Sequence, residues 1–310
     1  MTIVWLGVQS PDETAFHRLQ HPYYLKSFIE IRTRGVPNEL KGNELFLDSG
    51  AYSAWSRGAA LDIDEFCACL RAHADHIHTY ASLDVIPGRV GVPASPDEIQ
   101  KAADRSWEAF TYMRAEGLNP MPVYHFGEAP SVLHRILNAG CGIVGLGGLV
   151  GVPTPARVRW LGQVFGKQLR GAEQIKVHGF GMTNVNLIAR YPWYSVDSTT
   201  WTRMAFNGVV LLPSRDGAGR FLFTQAPKLV STADKTASDS TIHLSRLSRP
   251  LLEALHEWLS ECGMTLADVS TGSEGRLGRR VCNGLFFKRV QSALSSFQRP
   301  SLSRLPQSLW

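Results

Sequence analysis

Three aspartates each follow a short apolar run of the kind that forms a buried strand. Asp48 ends the run that begins at Leu45, Asp84 ends the run that begins at Tyr80, and Asp197 follows Val196. If these strands are neighbours in one parallel barrel, their carboxyl ends meet over a single pocket and the three acids face one substrate. Taken alone, each acid is equally compatible with a helix N-cap or a surface salt bridge.

Two carboxylates that face one anomeric carbon can act as a nucleophile and an acid/base residue, as in retaining glycoside chemistry. In that scheme Asp197 attacks C1′ of a sugar, and Asp48 moves a proton to or from the departing and arriving groups. Asp84 can accept hydrogen bonds from an amidine-like N–H edge, such as that of guanine. The three acids therefore predict cleavage or exchange at an N-glycosidic bond.

Further residues at the same strand ends have the chemistry to bind a flat ligand. Tyr52 offers an aromatic face for stacking, and the glycine-rich exit at Gly147 and Gly148 allows close approach of the backbone. That exit lacks the GxGxxG order and the Lys-Ser/Thr pair of a phosphate-binding loop. The predicted substrate-binding residues are Ser49, Tyr52, Asp84, His125, Gly147, Gly148 and His178.

The elements that must position these residues alternate along the chain. Eight apolar runs, several with a polar or glycine exit, alternate with segments of helical periodicity, which predicts a (β/α)8 barrel of the TIM type. A doubly wound sheet is the alternative. The predicted strands lie at 3–8, 45–48, 79–83, 121–125, 142–146, 174–178, 193–197 and 209–212, and a helix is predicted at 22–31. We expect a barrel domain over residues 1–215 and a mainly helical, basic C-terminal extension over 216–310.

The charge of the chain permits an anionic partner. The 310 residues carry a net charge of +5, and no Asp or Glu follows Arg276. A basic tail with interleaved phenylalanines suits nucleic acid, although a solvated helix face beside a small core is the other interpretation. The predicted nucleic-acid-binding residues are Arg203, Arg279, Arg280, Lys288 and Arg289.

The five cysteines are few, odd in number and irregularly spaced. This pattern indicates a reducing compartment rather than a disulfide framework, and no CxxC or nearby histidine pair completes a zinc site. No apolar run reaches the length of a membrane span, and the N-terminus has no signal-peptide pattern. We therefore expect a cytoplasmic protein with no metal site and no membrane association.

The ordered set of motifs resembles the tRNA-guanine transglycosylases, barrel enzymes that exchange guanine for a 7-deazaguanine through a covalent enzyme–nucleic acid intermediate. The resemblance runs from about Phe46 to Arg203, roughly half of the chain. The matching segments are Asp48-Ser-Gly-Ala-Tyr52, Leu83-Asp84, Gly147-Gly-Leu-Val-Gly151, Lys176-Val-His-Gly-Phe-Gly181 and Val196-Asp-Ser198. The resemblance implies that Asp197 is the nucleophile, Asp48 the acid/base residue, Asp84 the base-recognising acid and Tyr52 the stacking ring, with no cofactor.

The departures from the family concern its RNA contacts and its base pocket. Ser198-Thr-Thr-Trp201 stands where the family has a Cys-Val-Met-Pro-Thr-Arg run, and the cysteine-rich zinc motif that follows is missing. Ile86 replaces a cysteine, and His125 and His178 stand where the family tends to use Gln and Met. These losses resemble the divergent branch that places 7-deazaguanines in DNA, as in phage and bacterial DNA-modification systems.

The sequence thus predicts a DNA-guanine transglycosylase that acts on DNA and on a free base such as 7-cyano-7-deazaguanine. It leaves open an accessory modification protein such as an ATPase, and the oligomeric state. The alternatives are tRNA as the substrate, an N-glycoside hydrolase or nucleosidase on the same barrel, and a non-catalytic nucleic-acid-binding protein.

Overall fold

A computed structural model describes residues 2–8, 13–89, 91–172, 174–233, 240–270 and 272–297. Eight parallel strands form one curled sheet in the order β4-β3-β2-β1-β8-β7-β6-β5. The strands are β1 Ile3–Gly7, β2 Tyr23–Ser27, β3 Glu44–Asp48, β4 Ile77–Tyr80, β5 Val123–His125, β6 Ile143–Gly147, β7 Lys176–Gly179 and β8 Ser195–Ser198.

The two edge strands of this sheet, β4 and β5, meet at a single parallel bridge between Ala81 and Met121. The Met121 amide donates to the Tyr80 carbonyl at 2.9 Å, and the Ser82 amide donates to the Met121 carbonyl at 2.8 Å. These bonds close the sheet, so the (β/α)8 TIM-like barrel expected from the sequence is confirmed.

Alternate residues of each strand face the inside of the barrel. The interior is a small aromatic cluster in which the rings of Trp5 and Phe46 lie 5.5 Å apart and those of Phe46 and Phe180 lie 5.9 Å apart. The neighbouring outward residues, such as Val4 and Val196, pack against the surrounding helices in a separate and larger core. This alternation points the acids at the carboxyl ends of β3 and β8 towards the barrel axis.

The helices surround the barrel. They are α1 Glu13–Leu19, α2 Phe28–Arg34, α3 Ala51–Ser56, α4 Ile63–Ala72, α5 Pro96–Ala115, α6 Pro130–Asn138, α7 Thr154–Gln163, α8 Val185–Arg190, α9 Thr200–Phe206, α10 Arg249–Glu261 and α11 Gly272–Ser296. A π-helical turn, Val164–Gln168, extends α7. The Ser95 side chain accepts from the Glu98 amide while the Glu98 side chain accepts from the Ser95 amide, a capping box that fixes the start of α5.

Two sequence predictions about the strands were wrong. Residues 22–31, predicted as a helix, contain β2 and only the beginning of α2. The predicted eighth barrel strand at 209–212 is β9, Val209–Leu212, which lies outside the barrel and pairs antiparallel with β12, Lys228–Ser231. β2 takes its place in the barrel because Tyr23 and Leu25 alternate into the interior, a period of two that the aromatic content of the segment concealed.

The region after β9 packs on the outside of the barrel. It contains β10 Ser214–Arg215, β11 Phe221–Leu222, β12, β13 Ile242–His243, and the helices α10 and α11. The buried Asn283 of α11 accepts from the Leu211 amide at 2.8 Å and donates to the Val209 carbonyl at 2.9 Å. The Gln291 side chain accepts from the Val4 amide of β1 at 2.8 Å. Buried polar bonds therefore fix α11 to the barrel and to β9.

None of the helices in the described ranges is both long and apolar enough to cross a membrane.

Candidate active site

The carboxyl ends of the strands bring together the three acids singled out in the sequence. Asp48 is the last residue of β3, and Asp84 follows β4 by four residues. Asp197 is the third residue of β8 and lies in register with Trp5 of β1. Asp48 is close enough to both other acids for their negative charges to raise its pKa. The barrel mouth thus brings three acidic side chains together.

Asp48 has a strongly shifted acidity. Burial, followed by the charges of Asp84 and Asp197, raises the pKa of its carboxyl from 3.8 to about 7, although the amide of Gly50 donates to its Oδ2 at 3.2 Å. A carboxyl with this pKa is present in both protonation states near neutral pH. Asp48 can therefore both give and accept a proton.

Asp197 is 7% exposed and is held through one of its oxygens. Its Oδ1 accepts a hydrogen bond from the Gly181 amide at 2.7 Å and lies 3.4 Å from Nε2 of His178, a contact without hydrogen-bond geometry. No described residue donates to Oδ2. This oxygen is therefore the one free to attack an electrophile.

His178, predicted as a substrate-binding residue, is fully buried below Asp197. Its Nδ1 is 2.9 Å from the hydroxyl oxygen of Ser195, and its ring packs edge-on against Phe46 at 4.9 Å and Phe180 at 4.5 Å. His178 thus lies in the barrel interior beneath Asp197 and has no surface open to a ligand.

Asp84 is held through both of its oxygens. The Ser49 hydroxyl donates to Oδ1 at 2.7 Å, and His125 Nε2 lies 2.9 Å from Oδ2. Ser49 also accepts from the Ala51 amide at 3.2 Å, which fixes the direction of its hydroxyl. Each Asp84 oxygen keeps a second lone pair, so the carboxylate can still accept from the N–H edge of a base.

His125 lies between two carboxylates. Its Nδ1 is 3.1 Å from Oε1 of Glu128, and its backbone amide donates to Glu128 Oε2 at 2.9 Å. Burial lowers the pKa of His125, but the hydrogen bonds and charges of Asp84 and Glu128 outweigh that effect and raise it to about 10. Glu128 was not predicted from the sequence; its one signal is a carboxylate three residues after a histidine at a strand exit.

The two glycines of the β6 exit serve different purposes. A Cβ at Gly147 would lie 2.9 Å from Cδ2 of His125, so the absence of a side chain there leaves room for the imidazole. Gly148 has a φ of +73°, a left-handed conformation that favours glycine, and it is exposed at the mouth. Gly148 thus leaves backbone open to a ligand.

Tyr52 lies on the short helix α3. The helix begins after Gly50, whose φ of +79° turns the chain and whose missing Cβ avoids a 2.8 Å contact with the Ser27 hydroxyl. The Tyr52 ring is 53% exposed and lies 5.8 Å from the ring of Trp55. It is accessible for stacking on a planar ligand.

The five predicted nucleic-acid contacts differ in how far they are exposed. Arg203 and Arg289 are exposed, and Arg289 lies 3.8 Å from Glu261. Arg279 is 3% exposed, and its guanidinium donates to the carbonyls of Ala205, Val269 and Ser270.

The prediction for Arg279 was therefore wrong, because its charge is used to hold backbone carbonyls inside the protein. Arg280 is half-buried. Lys288 donates to the carbonyls of Leu19 and Gln20 at 2.9 and 3.2 Å, at the end of α1. The part of the basic tail that follows residue 297 lies outside the described residues. Within the described ranges no group of three or more His, Cys, Asp or Glu side chains has the arrangement of a metal site.

No family model and no curated protein matches the chain. Among solved structures, a mandelate oxidase mutant with the monooxide FMN adduct is 15% identical, with a TM-score of 0.38 over 64% of this chain and 65% of that chain. The carboxyl transferase domain of Rhizobium etli pyruvate carboxylase is 11% identical, with a TM-score of 0.37 over 97% and 50%.

A 2,3-dimethylmalate lyase of the PEP mutase/isocitrate lyase superfamily is 12% identical, with a TM-score of 0.33 over 96% and 94% of the two chains. Similarities this distant carry no conclusion about activity. The assignment of the barrel rests on the strand order and closure of this chain itself.

Proposed function

We propose that this protein is a DNA-guanine transglycosylase, an enzyme that exchanges guanine in DNA for a 7-deazaguanine through a covalent aspartyl intermediate. The observation that supports the proposal most is the meeting of Asp48, Asp84 and Asp197 over one barrel mouth, with the pKa of Asp48 raised to about 7. A nucleophile, a proton carrier and a base-recognising acid are the three roles that base exchange requires.

In the first half of the proposed reaction, Oδ2 of Asp197 attacks C1′ of the target nucleotide and the bond from C1′ to N9 of guanine breaks. The Gly181 amide on Oδ1 orients the carboxylate for this attack. The product is a glycosyl ester of Asp197. The departing base takes up a proton from Asp48, so no charge is left on free guanine.

In the second half, N9 of the incoming base attacks C1′ and Asp197 is released as a carboxylate. The proton of the incoming N9–H returns to Asp48, which restores the enzyme. A pKa of about 7 suits Asp48 for both transfers, because one residue must donate in the first step and accept in the second. The exchange involves no oxidation, so it needs no redox cofactor.

Base recognition in the proposal depends on Asp84 and Tyr52. The carboxylate of Asp84 accepts from the N1–H and N2–H edge shared by guanine and 7-deazaguanines, while the exposed ring of Tyr52 stacks on the base. A guanine in duplex DNA must first leave the stack, which costs a few kcal/mol. Stacking on Tyr52 and hydrogen bonds to Asp84 offset that cost.

DNA is preferred over tRNA as the polymer because the segment after Asp197 differs from the tRNA enzymes. Ser198-Thr-Thr-Trp201 replaces their usual run, and the cysteine-rich motif that follows is missing from the sequence. In this structure the segment opens the short helix α9, with Trp201 buried against the Gly7 carbonyl through its Nε1 at 2.9 Å. The segment Ser198–Trp201 is therefore part of the packed wall of the barrel.

The test is to incubate the protein with guanine-labelled DNA or labelled tRNA, with and without 7-cyano-7-deazaguanine, and to measure released guanine. The proposal predicts release from DNA that depends on the added base. Release only from tRNA would move the substrate to RNA, and release without an added base would make the protein a hydrolase.

The covalent step has its own test. Asp197→Asn should abolish a denaturation-resistant protein–DNA adduct, while the exposed Asp75→Asn should leave it unchanged. An adduct of normal yield in Asp197→Asn would reject Asp197 as the nucleophile.

A further inference from the structure

Glu128 is a buried acid to which the proposed reaction gives no direct role. It is 6% exposed, and both of its oxygens contact the same residue: Oε2 accepts from the backbone amide of His125, and Oε1 lies 3.1 Å from Nδ1 of its ring. The hydroxyl of the buried Tyr124 donates to the Glu128 carbonyl at 3.0 Å. The carboxylate is therefore built into the turn after β5 and has one defined partner.

The two ring nitrogens of His125 both face carboxylate oxygens. Nε2 is 2.9 Å from Asp84 Oδ2, and Nδ1 is 3.1 Å from Glu128 Oε1. A carboxylate can only accept, and a neutral imidazole has only one N–H, so it could satisfy only one of these contacts. Both hydrogen bonds are made only when His125 is an imidazolium.

The charged groups that act on His125 among the described residues are the two carboxylates of Asp84 and Glu128, and no Lys or Arg is among them. Asp84 faces it from the β4 exit and Glu128 from the turn after β5, while Asp48 acts on Asp84 from the β3 exit. From β6, Gly147 contributes no charge. Burial and the charge of Glu128 raise the pKa of Tyr124 to about 12, so its hydroxyl stays neutral. His125 is thus the single cation in a cluster of acids.

We propose that Glu128 is a positioning residue that keeps His125 protonated, so that the pocket carries a fixed cation beside Asp84. The inference rests on the proposed function, and it adds a residue outside the three acids to that site. The imidazolium then offsets one of the negative charges that Asp48, Asp84 and Asp197 bring to the barrel mouth. The same cation donates to Asp84 Oδ2 and so holds this carboxylate in place to accept the N–H bonds of the base edge.

One substitution removes the negative charge of Glu128 and keeps the hydrogen-bond geometry around His125. In Glu128→Gln the side-chain oxygen can accept from the His125 amide, and the side-chain NH2 can donate to Nδ1. His125 then remains hydrogen-bonded to Asp84 through Nε2–H but loses its proton at a lower pH than in the wild type. A matched control is Glu108→Gln, which removes the same charge from the exposed surface of α5.

The first measurement is the titration of His125 by NMR of imidazole nitrogens in the full chain, assigned with His125→Gln. It needs no activity. Wild type should stay protonated well above 6.5, with a midpoint near 10. Glu128→Gln should lower the midpoint by about 1 to 3 units, and Glu108→Gln should not. A wild-type midpoint at or below 6.5 would overturn the proposal.

The second measurement is the pH profile of base exchange. Glu128→Gln should exchange base at a rate close to wild type below its new His125 midpoint and about tenfold or more slowly above it. His125→Gln cannot be protonated, so the double variant with Glu128→Gln should be no slower than His125→Gln alone. If Glu128→Gln slowed base exchange equally at all pH values, the role of Glu128 would be merely structural, and the inference would be rejected.

The two measurements separate the inference from the function on which it rests. If wild type exchanges no base but His125 titrates near 10 and responds to Glu128→Gln, the transglycosylase proposal fails while the fixed cation stands. If base exchange occurs but neither the titration nor the profile responds to Glu128→Gln, only the role of Glu128 fails.

Discussion

At the scale of single residues, Asp48 has a property that favours the chemistry and disfavours the fold. The folded protein raises its pKa from 3.8 to about 7, so it binds a proton more tightly than the unfolded chain does. The stabilising effect of that proton is complete below pH 3.8 and is lost as the pH rises through about 7. At pH 8 the ionised Asp48 therefore lowers the free energy of unfolding.

We expect Asp48→Asn to slow base exchange by about 10²- to 10⁴-fold, because the variant cannot carry a proton. At pH 8 it should also raise the free energy of unfolding by roughly 1 to 4 kcal/mol, since the buried charge beside two other acids is removed. Below pH 4 this gain should disappear. Denaturant unfolding at both pH values checks the prediction, with Asp75→Asn as the surface control. Equal effects at the two pH values would contradict the raised pKa.

The acids of the site were predictable because each follows an apolar run, and parallel strands bring their carboxyl ends together. Glu128 was not predictable on these grounds, since it belongs to a turn and its importance depends on the direction of the His125 ring. The same limit applies to His178 and Arg279. Residue type indicated a ligand contact in both cases, but burial decided otherwise, and burial depends on the packing of elements distant in sequence.

At the scale of elements, short apolar runs in the sequence correctly predicted the positions of several strands. The apolar run predicted as a strand at 45–48 is β3, and the run predicted at 142–146 is β6. An apolar run does not reveal which sheet will receive it, however. Val209–Leu212 has the composition of a barrel strand, but Asn283 of α11 and the strand β12 hold it in a second sheet.

The barrel interior depends on a glycine of β6. A Cβ at Gly145 would overlap with Cε2 of Phe180, and this ring packs on Phe46 and His178 beneath the site. We expect Gly145→Ala to lower the free energy of unfolding by about 1 to 3 kcal/mol and to reduce activity, because the ring must move. The measurement is the denaturant midpoint at constant m-value.

Gly142→Ala is the matched control for this prediction. It lies in the same segment, just before β6, and a Cβ there would contact nothing within 4 Å. It should change the midpoint little. Similar losses in the two variants would show that backbone flexibility, and not the space taken by Phe180, is what the glycines provide.

At the scale of the whole molecule, Arg279 joins the C-terminal helix to the barrel. Its guanidinium satisfies the carbonyls of Ala205, at the end of α9, and of Val269 and Ser270. We expect Arg279→Ala to lower the free energy of unfolding by about 2 to 5 kcal/mol, because it leaves buried carbonyls unpaired. Arg289→Ala, on the exposed side of α11, should change it by less than about 1 kcal/mol. If Arg289→Ala lowered the free energy of unfolding as much as Arg279→Ala, the contrast between the buried and the exposed arginine would be contradicted.

The last prediction concerns which arginines of the protein contact the phosphates of bound DNA. Arg203 is exposed and is the fourth of the seven residues of α9, a short helix that begins directly after the strand that carries Asp197, so it lies within one helical turn of the barrel mouth. Arg114 is equally exposed but belongs to the last turn of α5, and the helices of such a barrel end at the opposite face. DNA bound at the mouth should release counterions at Arg203 and not at Arg114.

Arg203→Ala should therefore weaken DNA binding to a similar degree for all sequences and reduce the slope of log K against log salt by about 1. Arg114→Ala should leave both quantities unchanged, although it alters the net charge by the same amount. Binding of a fluorescent duplex at several salt concentrations measures both. If the two variants changed DNA binding equally, the attraction of DNA would come from the overall charge of the protein. That result would contradict the barrel mouth as the DNA-binding face.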